Sequence, residues 1–381
     1  MQSKLHVLYT DAVSLDRLRP ILEELPQPSK HARIAIKPNL VVPKPSTSGA
    51  TTDPALVECI IAYLREKGHE DIRIIEGSVI GESTQRAFQI CGYESISHTY
   101  GVPLVDLKGD QAVRVSIHDL EIDVCREALD TDFLINLPVL KAHCQTRITC
   151  ALKNLKGCIP DKEKRRFHAL GLHKPIAALS HAIKTQWTIV DGIIGDLTFE
   201  EGGTPINMGR IIAGEDPVLI DTYVLQLLGY DLSDVPYVSM AADLGVGSTD
   251  LDNAEIIEHL SGDRPPVVAQ PANPVAQKYV RYIDEREACS ACYGSLIYAL
   301  QRYEELHGAL PQDLKLSIGQ GFAHPMTSKA TKSGTERNEL GIGQCTAASC
   351  RNHVPGCPPT ARKILASLTA RLDKPNDMGL Q

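Results

Sequence analysis

Phe133-Leu134-Ile135-Asn136-Leu137-Pro138-Val139-Leu140-Lys141-Ala142-His143 is the stretch that decides the fold. Phe133–Val139 reads as a strongly buried strand, because a short apolar run bounded by turn residues suits a strand covered on both faces. A lysine and a histidine follow it at once. Ligands of open α/β sheets bind at the carboxyl ends of the strands, so this is also where chemistry is expected.

Outward from that strand the pattern alternates. Leu5–Tyr9 and Arg33–Ile36 read as strands, and Asp53-Pro54 opens a helix through about Lys67 that Gly68 stops. An N-cap carboxylate before a proline at the first helical position is a strong start signal. Asp71–Ile75 is a strand, a helix spans Ser83–Ile90, and Val113–Val124 suits a hairpin. The spacing predicts helices over Thr146–Gly157, Pro175–Lys184 and Pro217–Leu228, with strands at Thr188–Val190 and Arg210–Ala213. The fold class is therefore α/β, a parallel or mixed sheet flanked by helices. After Leu260 the composition shifts, with Pro265, Pro266, Pro271 and Pro274 close together. The expected organisation is an α/β domain over 1–262, a Pro-rich linker over 263–274, and a smaller C-terminal α/β region over 275–381.

Polar groups stand directly after several strands: Lys37 and Asn39, Glu76 and Ser78, Lys141 and His143, and Asp191. If the strands lie side by side, these residues converge on one rim. Lys37, Asn39, Ser78 and Asp191 are candidate substrate-binding groups, and Lys141, His143 and Glu76 candidate catalytic ones, with His143 and Glu76 as an acid–base pair. The bland reading of each residue alone is a loop side chain in water. The segment Lys141–Lys174 carries nine Lys/Arg against Asp161 and Glu163, a local +7 in a chain of net charge −8. On the expected helix Thr146, Cys150, Lys153 and Gly157 share one face, and Ile148, Leu152, Leu155 and Ile159 form an apolar stripe. Lys153 is then either a solvated lysine or, with Asn154, part of a pocket for a carboxylate or phosphate. Asp161–Arg166 reads as an exposed or mobile basic loop.

Eleven cysteines need explaining. Those before residue 160 are scattered, and most sit in apolar or helical contexts. Cys289-Ser290-Ala291-Cys292, Gly343-Gln344-Cys345 and Gly356-Cys357-Pro358-Pro359 are different in kind. A C-x-x-C pair places two thiolates on one turn, and glycines beside Cys345 and Cys357 let the backbone approach sulfur. Cys289, Cys292, Cys345 and Cys357 are the expected ligands of a [4Fe-4S] cluster; four-thiolate zinc and free thiols are the competing readings. Cys350 could replace Cys345.

Composition narrows the remaining classes. The overall acidity argues against bulk nucleic-acid binding. No apolar run approaches the roughly 18–20 residues of a membrane span, and the first residues lack the apolar core of a signal peptide. A cytoplasmic protein is expected, with no membrane partner; its oligomeric state is left open.

Lys37-Pro38-Asn39-Leu40, Leu137-Pro138-Val139-Leu140-Lys141-Ala142-His143, Ala151-Leu152-Lys153-Asn154-Leu155-Lys156-Gly157 and Gly214-Glu215-Asp216-Pro217-Val218-Leu219-Ile220-Asp221 together resemble the prokaryotic family called domain of unknown function 362 (DUF362). The resemblance covers roughly residues 33–250. It implies a Lys/His/Asn-lined site in an α/β domain, often accompanied by an iron–sulfur cluster, and no established reaction. The nickel-pincer lactate racemases are a more distant likeness from which no residue role is transferred.

The expected function is an oxygen-sensitive iron–sulfur enzyme acting on a small anionic metabolite. It is an oxidoreductase if the cluster passes electrons, and a lyase if one iron is open as a Lewis acid. The alternative is a non-enzymatic electron carrier or redox sensor whose basic segment docks an acidic electron-transfer partner.

Overall fold

The structure, a computed structural model, describes residues 3–198, 200–260, 275–323 and 338–372. It divides into two compact units, Met1–Pro274 and Val275–Gln381. The proline-rich stretch expected as a linker lies outside the described residues.

Among its described residues the first unit carries twelve strands: β1 (Lys4–Tyr9), β2 (Ile34–Pro38), β3 (Ile72–Glu76), β4 (Leu104–Asp106), β5 (Ala112–Ile117), β6 (Leu120–Cys125), β7 (Phe133–Leu137), β8 (Lys141–His143), β9 (Arg147–Thr149), β10 (Trp187–Gly195), β11 (Ile206–Gly214) and β12 (Glu255–Leu260). Eight of them form one sheet in the order β12-β1-β11-β10-β7-β2-β3-β4. From β10 to β4 the neighbours are parallel, while β11 runs antiparallel to both β10 and β1, so the sheet is mixed. The fold is α/β, as the strand–helix alternation predicts.

Alternation along the strands sends side chains to two cores. Ile34, Ile36, Phe133 and Ile135 pack on one face, with Ala35 and Leu134 on the other. All five residues of β2 and all five of β7 are buried, which is why their sequences run apolar rather than alternate. The chain leaves β2 toward β3 and β4, then returns to place β7 on the other side of β2. That reversal is a topological switch point, the place where open α/β sheets generally bind their ligands.

Two expectations are corrected. The helix expected over Thr146–Gly157 is instead the β8–β9 hairpin, a one-turn helix Ala151–Asn154 and a 3-10 turn Leu155–Cys158. The apolar stripe is still buried, but Arg147 takes φ of 65°, a left-handed conformation that a continuous helix cannot contain. The basic run Asp161–Arg166 is not a mobile loop. It opens the helix Asp161–Ala169, and Glu163 and Lys164 are buried. Acidic residues in its first turn and Arg166 and His168 in its last match the helix dipole. The hairpin expected near Val113–Val124 is present as β5 and β6.

The second unit has a parallel sheet in the order β13 (Ile283–Glu285), β14 (Lys315–Ile318), β15 (Glu339–Ile342) and β16 (His353–Val354). The helices Ser290–His307 and Ala361–Leu372 belong to the same unit.

Candidate active site at the strand ends

The register of β2 against β7 pairs Lys37 with Asn136 and Pro38 with Leu137, so both strands end at one level. Lys37, Asn39, Glu76, Ser78, Lys141, His143, Lys153, Asn154 and Asp191 are all buried. None is a solvated loop residue, yet they do not form a single uniform site.

One part is a closed network. Lys37 Nζ lies 3.0 and 3.1 Å from the two Glu76 oxygens and also donates to Pro38 O at 2.9 Å. The Leu40 and Gly77 amides donate to the same carboxylate at 2.9 and 2.7 Å. Gly157 lies against the pair, and a Cβ there would come within 2.2 Å of Glu76 Oε1. Asn39 donates to Asn154 Oδ1, and Asn154 donates to Asn136 Oδ1, each at 2.8 Å. Ser78 Oγ donates to Leu40 O, while Lys164 Nζ donates to the Gly77 and Ser78 carbonyls. Asp191 accepts the Asp53 and Ile193 amides, and burial pushes its carboxyl up to about 7. With these donors in place, Glu76 has its acceptor positions filled from within the protein. Buried ions persist only when such partners offset their desolvation.

The other part is open. Lys153 rides on the one-turn helix Ala151–Asn154, whose first two amides are capped by Asp221 from the helix Pro217–Leu227 at 2.8 and 3.1 Å. That cap turns the lysine inward instead of into water. Among the described residues Lys153 Nζ has one hydrogen bond, to Thr149 Oγ1 at 3.2 Å, although the residue is only 8% exposed. Burial lowers its ammonium to about 8, against the pull of Glu200 and Cys144. Lys141 donates to Asn39 Oδ1 and Ala50 O; burial, then the Lys153 charge, lowers it to about 7. Lys141 thus joins the two parts.

His143 Nε2 stands 3.7 Å from Glu200 Oε1, and Cys144 gives that carboxylate its amide at 3.1 Å and its thiol at 2.8 Å. Burial, then Lys153, Lys156, His168 and Lys141, holds His143 well below the ordinary imidazole range. Burial and Glu200 push the Cys144 thiol well above its usual range, which removes it as a nucleophile at neutral pH. Donor atoms of His143, Cys144 and Glu200 lie within 4.8 Å of one another, the spacing of a group that could hold a metal ion.

Glu200 sits on the connection between β10 and β11. Asp196 accepts the Thr198 and Thr204 amides, which draws the ends of that connection together. Lys44 Nζ donates to Glu201 O at 2.8 Å, and Gly202, at φ of 72°, would push a Cβ to 2.4 Å from Ser48 O. The connection therefore lies against residues 44–50. Glu200, Asn136, Lys164 and Asp221 are the contributors that motif reading underrated. In the sequence Glu200 stands in an acidic-to-Gly stretch after the Asp191 strand, where it is a possible divalent-metal holder alongside Glu76 and Asp191 with no spacing that requires one.

In the second unit Cys289 occupies the N-cap position of the helix Ser290–His307, with Cys292 in its first turn. Gly343 N donates to Val354 O, and Gln344 N to Gly356 O, both at 2.9 Å. This brings the Cys345 and Cys357 segments together. A Cβ at Gly343, which has φ of 90°, would lie 3.6 Å from Gly356 O, 3.8 Å from Pro359 Cδ and 3.9 Å from Cys292 Sγ. Cys350 is differently engaged. Burial raises its thiol above the ordinary range, and it lines a cavity of about 380 Å³ with Arg281, Asp284, Lys315 and Glu339.

Among described residues no helix is long and apolar enough to cross a membrane. The chain is 28% identical over 247 residues to a thylakoid-associated protein of Synechocystis sp., a match covering 62% of this chain and 74% of that protein. Among solved structures, the lactate racemase apoprotein of Thermoanaerobacterium thermosaccharolyticum is similar at TM-score 0.36 and 12% identity, covering 56% of this chain and 54% of that one. A structural-genomics target from Thermotoga maritima is similar at TM-score 0.35 and 13% identity, covering 62% and 60%. The alignments thus span little more than half of either solved chain. The family model described as domain of unknown function (DUF362) matches residues 34–226, from β2 through the helix that supplies Asp221, and the chain belongs to that family.

Proposed function

We propose that the protein is an enzyme that binds a small anionic metabolite at the open half of the strand-end site and carries a [4Fe-4S] cluster on its second unit. The observation that carries the substrate reading is Lys153: a buried cation with one hydrogen bond, held inward by a capped turn. A buried ammonium with unfilled donor positions is costly unless a ligand completes it, so a carboxylate or phosphate is the complement it calls for. Lys141 adds a second buried amine, and Glu200 takes the carboxylate role beside His143 that the sequence suggested for Glu76. Lys37, Glu76, Ser78 and Asp191 hold the crevice in shape.

The thiol set Cys289, Cys292, Cys345 and Cys357 fits a cluster on two grounds. Four soft donors come from one helix turn and two loops, and Gly343 leaves the space beside Cys292 Sγ that a side chain would fill. Bound there, a [4Fe-4S] cluster would supply single electrons.

Two measurements on the whole chain test these readings. Anaerobic iron and sulfide analysis should return about four of each per chain, with visible absorption that Cys357→Ala bleaches. Zinc in place of iron would overturn the cluster. Calorimetric titration with pyruvate should show binding that Lys153→Met abolishes; equal binding in the variant would overturn the site.

A further inference from the structure

Two backbone amides decide the chemistry of His143. The chain turns immediately after β8, and Gln145 N and Thr146 N both donate to His143 Nδ1, at 3.1 and 3.2 Å. An amide N–H cannot accept, so Nδ1 must present its lone pair. The proton of the neutral ring then resides on Nε2.

The surroundings enforce that state. His143 is 1% exposed. The charges of Lys141 on its own strand, of Lys153 and Lys156 on the turns that follow and of His168 on the helix Asp161–Ala169 act on it, and Glu200, which also accepts the Cys144 thiol, stands 3.7 Å from Nε2. A second proton would have to displace both amides and join a predominantly cationic cluster. A metal at Nε2 meets the same obstacle. A ligating histidine donates its other ring N–H to an oxygen acceptor, and here the other nitrogen already faces two donors.

We propose that His143 is a fixed neutral Nε2–H donor that binds an uncharged oxygen of the substrate, so that the site selects an anion bearing a carbonyl beside its charge. Lys153 takes the charge and His143 the neutral oxygen. The inference rests on the anion-binding reading given above and extends it to substrate class. It also removes His143 as the base, because the nitrogen able to accept a proton is engaged. A neutral imidazole donating to a substrate oxygen is a known way to polarise a carbonyl without an imidazolium.

The test uses the intact chain with ¹⁵N-labelled histidine rings, together with pyruvate and propionate, which differ by the carbonyl. His143 should show a protonated Nε2 and an unprotonated Nδ1, unchanged between pH 5 and 8. Pyruvate should bind about fivefold to tenfold tighter than propionate, the worth of one neutral hydrogen bond, and should shift the Nε2–H resonance. His143→Phe should erase that preference while retaining binding of both acids. A proton on Nδ1, or titration between pH 6 and 8, overturns the inference whichever acid binds. Equal affinity for the two acids with the tautomer as stated overturns the donor role. If neither acid binds, the anion reading fails and the substrate role fails with it, even with the tautomer intact.

Discussion

The two halves of the strand-end cluster are built from the same residue types and differ in how completely those residues are satisfied. Around Glu76, a lysine and two amides fill the carboxylate, and the Asn39–Asn154–Asn136 chain continues the pattern. Around Lys153 and His143, buried groups keep open positions and their protonation is displaced from ordinary values. Burial alone therefore does not separate scaffold from chemistry. Donor and acceptor balance does, because a saturated buried ion is stable as it stands and an unsaturated one calls for a ligand.

The largest expected effect lies in the closed half. Glu76→Ala leaves Lys37 buried without its counter-ion, which should cost about 3–5 kcal/mol in urea unfolding. A loss below about 1 kcal/mol would show that the ion pair is not the support inferred. Next comes the lysine shared by the halves. The folded state holds Lys141 at about 7, below its unfolded value of 10.5, so its contribution to stability is present above pH 10.5 and lost as pH falls toward 7. Wild-type stability should carry a declining component of about 2–4 kcal/mol across that window, and Lys141→Met should flatten it. An unchanged slope in the variant would mean that the amine titrates normally.

Asp221→Asn should cost about 1–2 kcal/mol, since one of the two capped amides loses its acceptor, and should weaken pyruvate binding by freeing the turn that aims Lys153. Loss of stability with full binding would separate the cap from the site. The smallest stability change is expected at Lys153 itself. Lys153→Met removes an incompletely paired buried cation and should shift stability by under about 1 kcal/mol while abolishing anion binding. A loss as large as that of Glu76→Ala would erase the distinction between the halves.

The reach of sequence reading follows the same division. Lys37, Asn39, Glu76, Lys141 and His143 are legible because each lies at or just beyond the carboxyl end of a sheet strand, and parallel strands of similar length end together. The split of their roles is not. Glu76 is paired with Lys37 and its remaining acceptor positions are filled by the Leu40 and Gly77 amides, whose direction depends on how the β2 and β3 ends turn. The helix misread over Thr146–Gly157 has a related cause. Ile148, Leu152 and Leu155 recur at helical spacing, but a hairpin followed by a turn buries them equally well, and Asp221, 70 residues beyond Ala151, decides where the helix starts.

The sequence alone determined the α/β class, the strands whose ends carry cations, and the placement of the clustered cysteines beyond Leu260, because hydrophobic period and residue spacing are local properties of the chain. Only the tertiary structure decided that Lys164 is an anchor instead of part of an exposed basic loop, that Glu200 is the carboxylate beside His143, and that two backbone amides face His143 Nδ1. Those outcomes depend on which distant groups share one desolvated volume, and desolvation is set by the folded surroundings and not by neighbours along the chain.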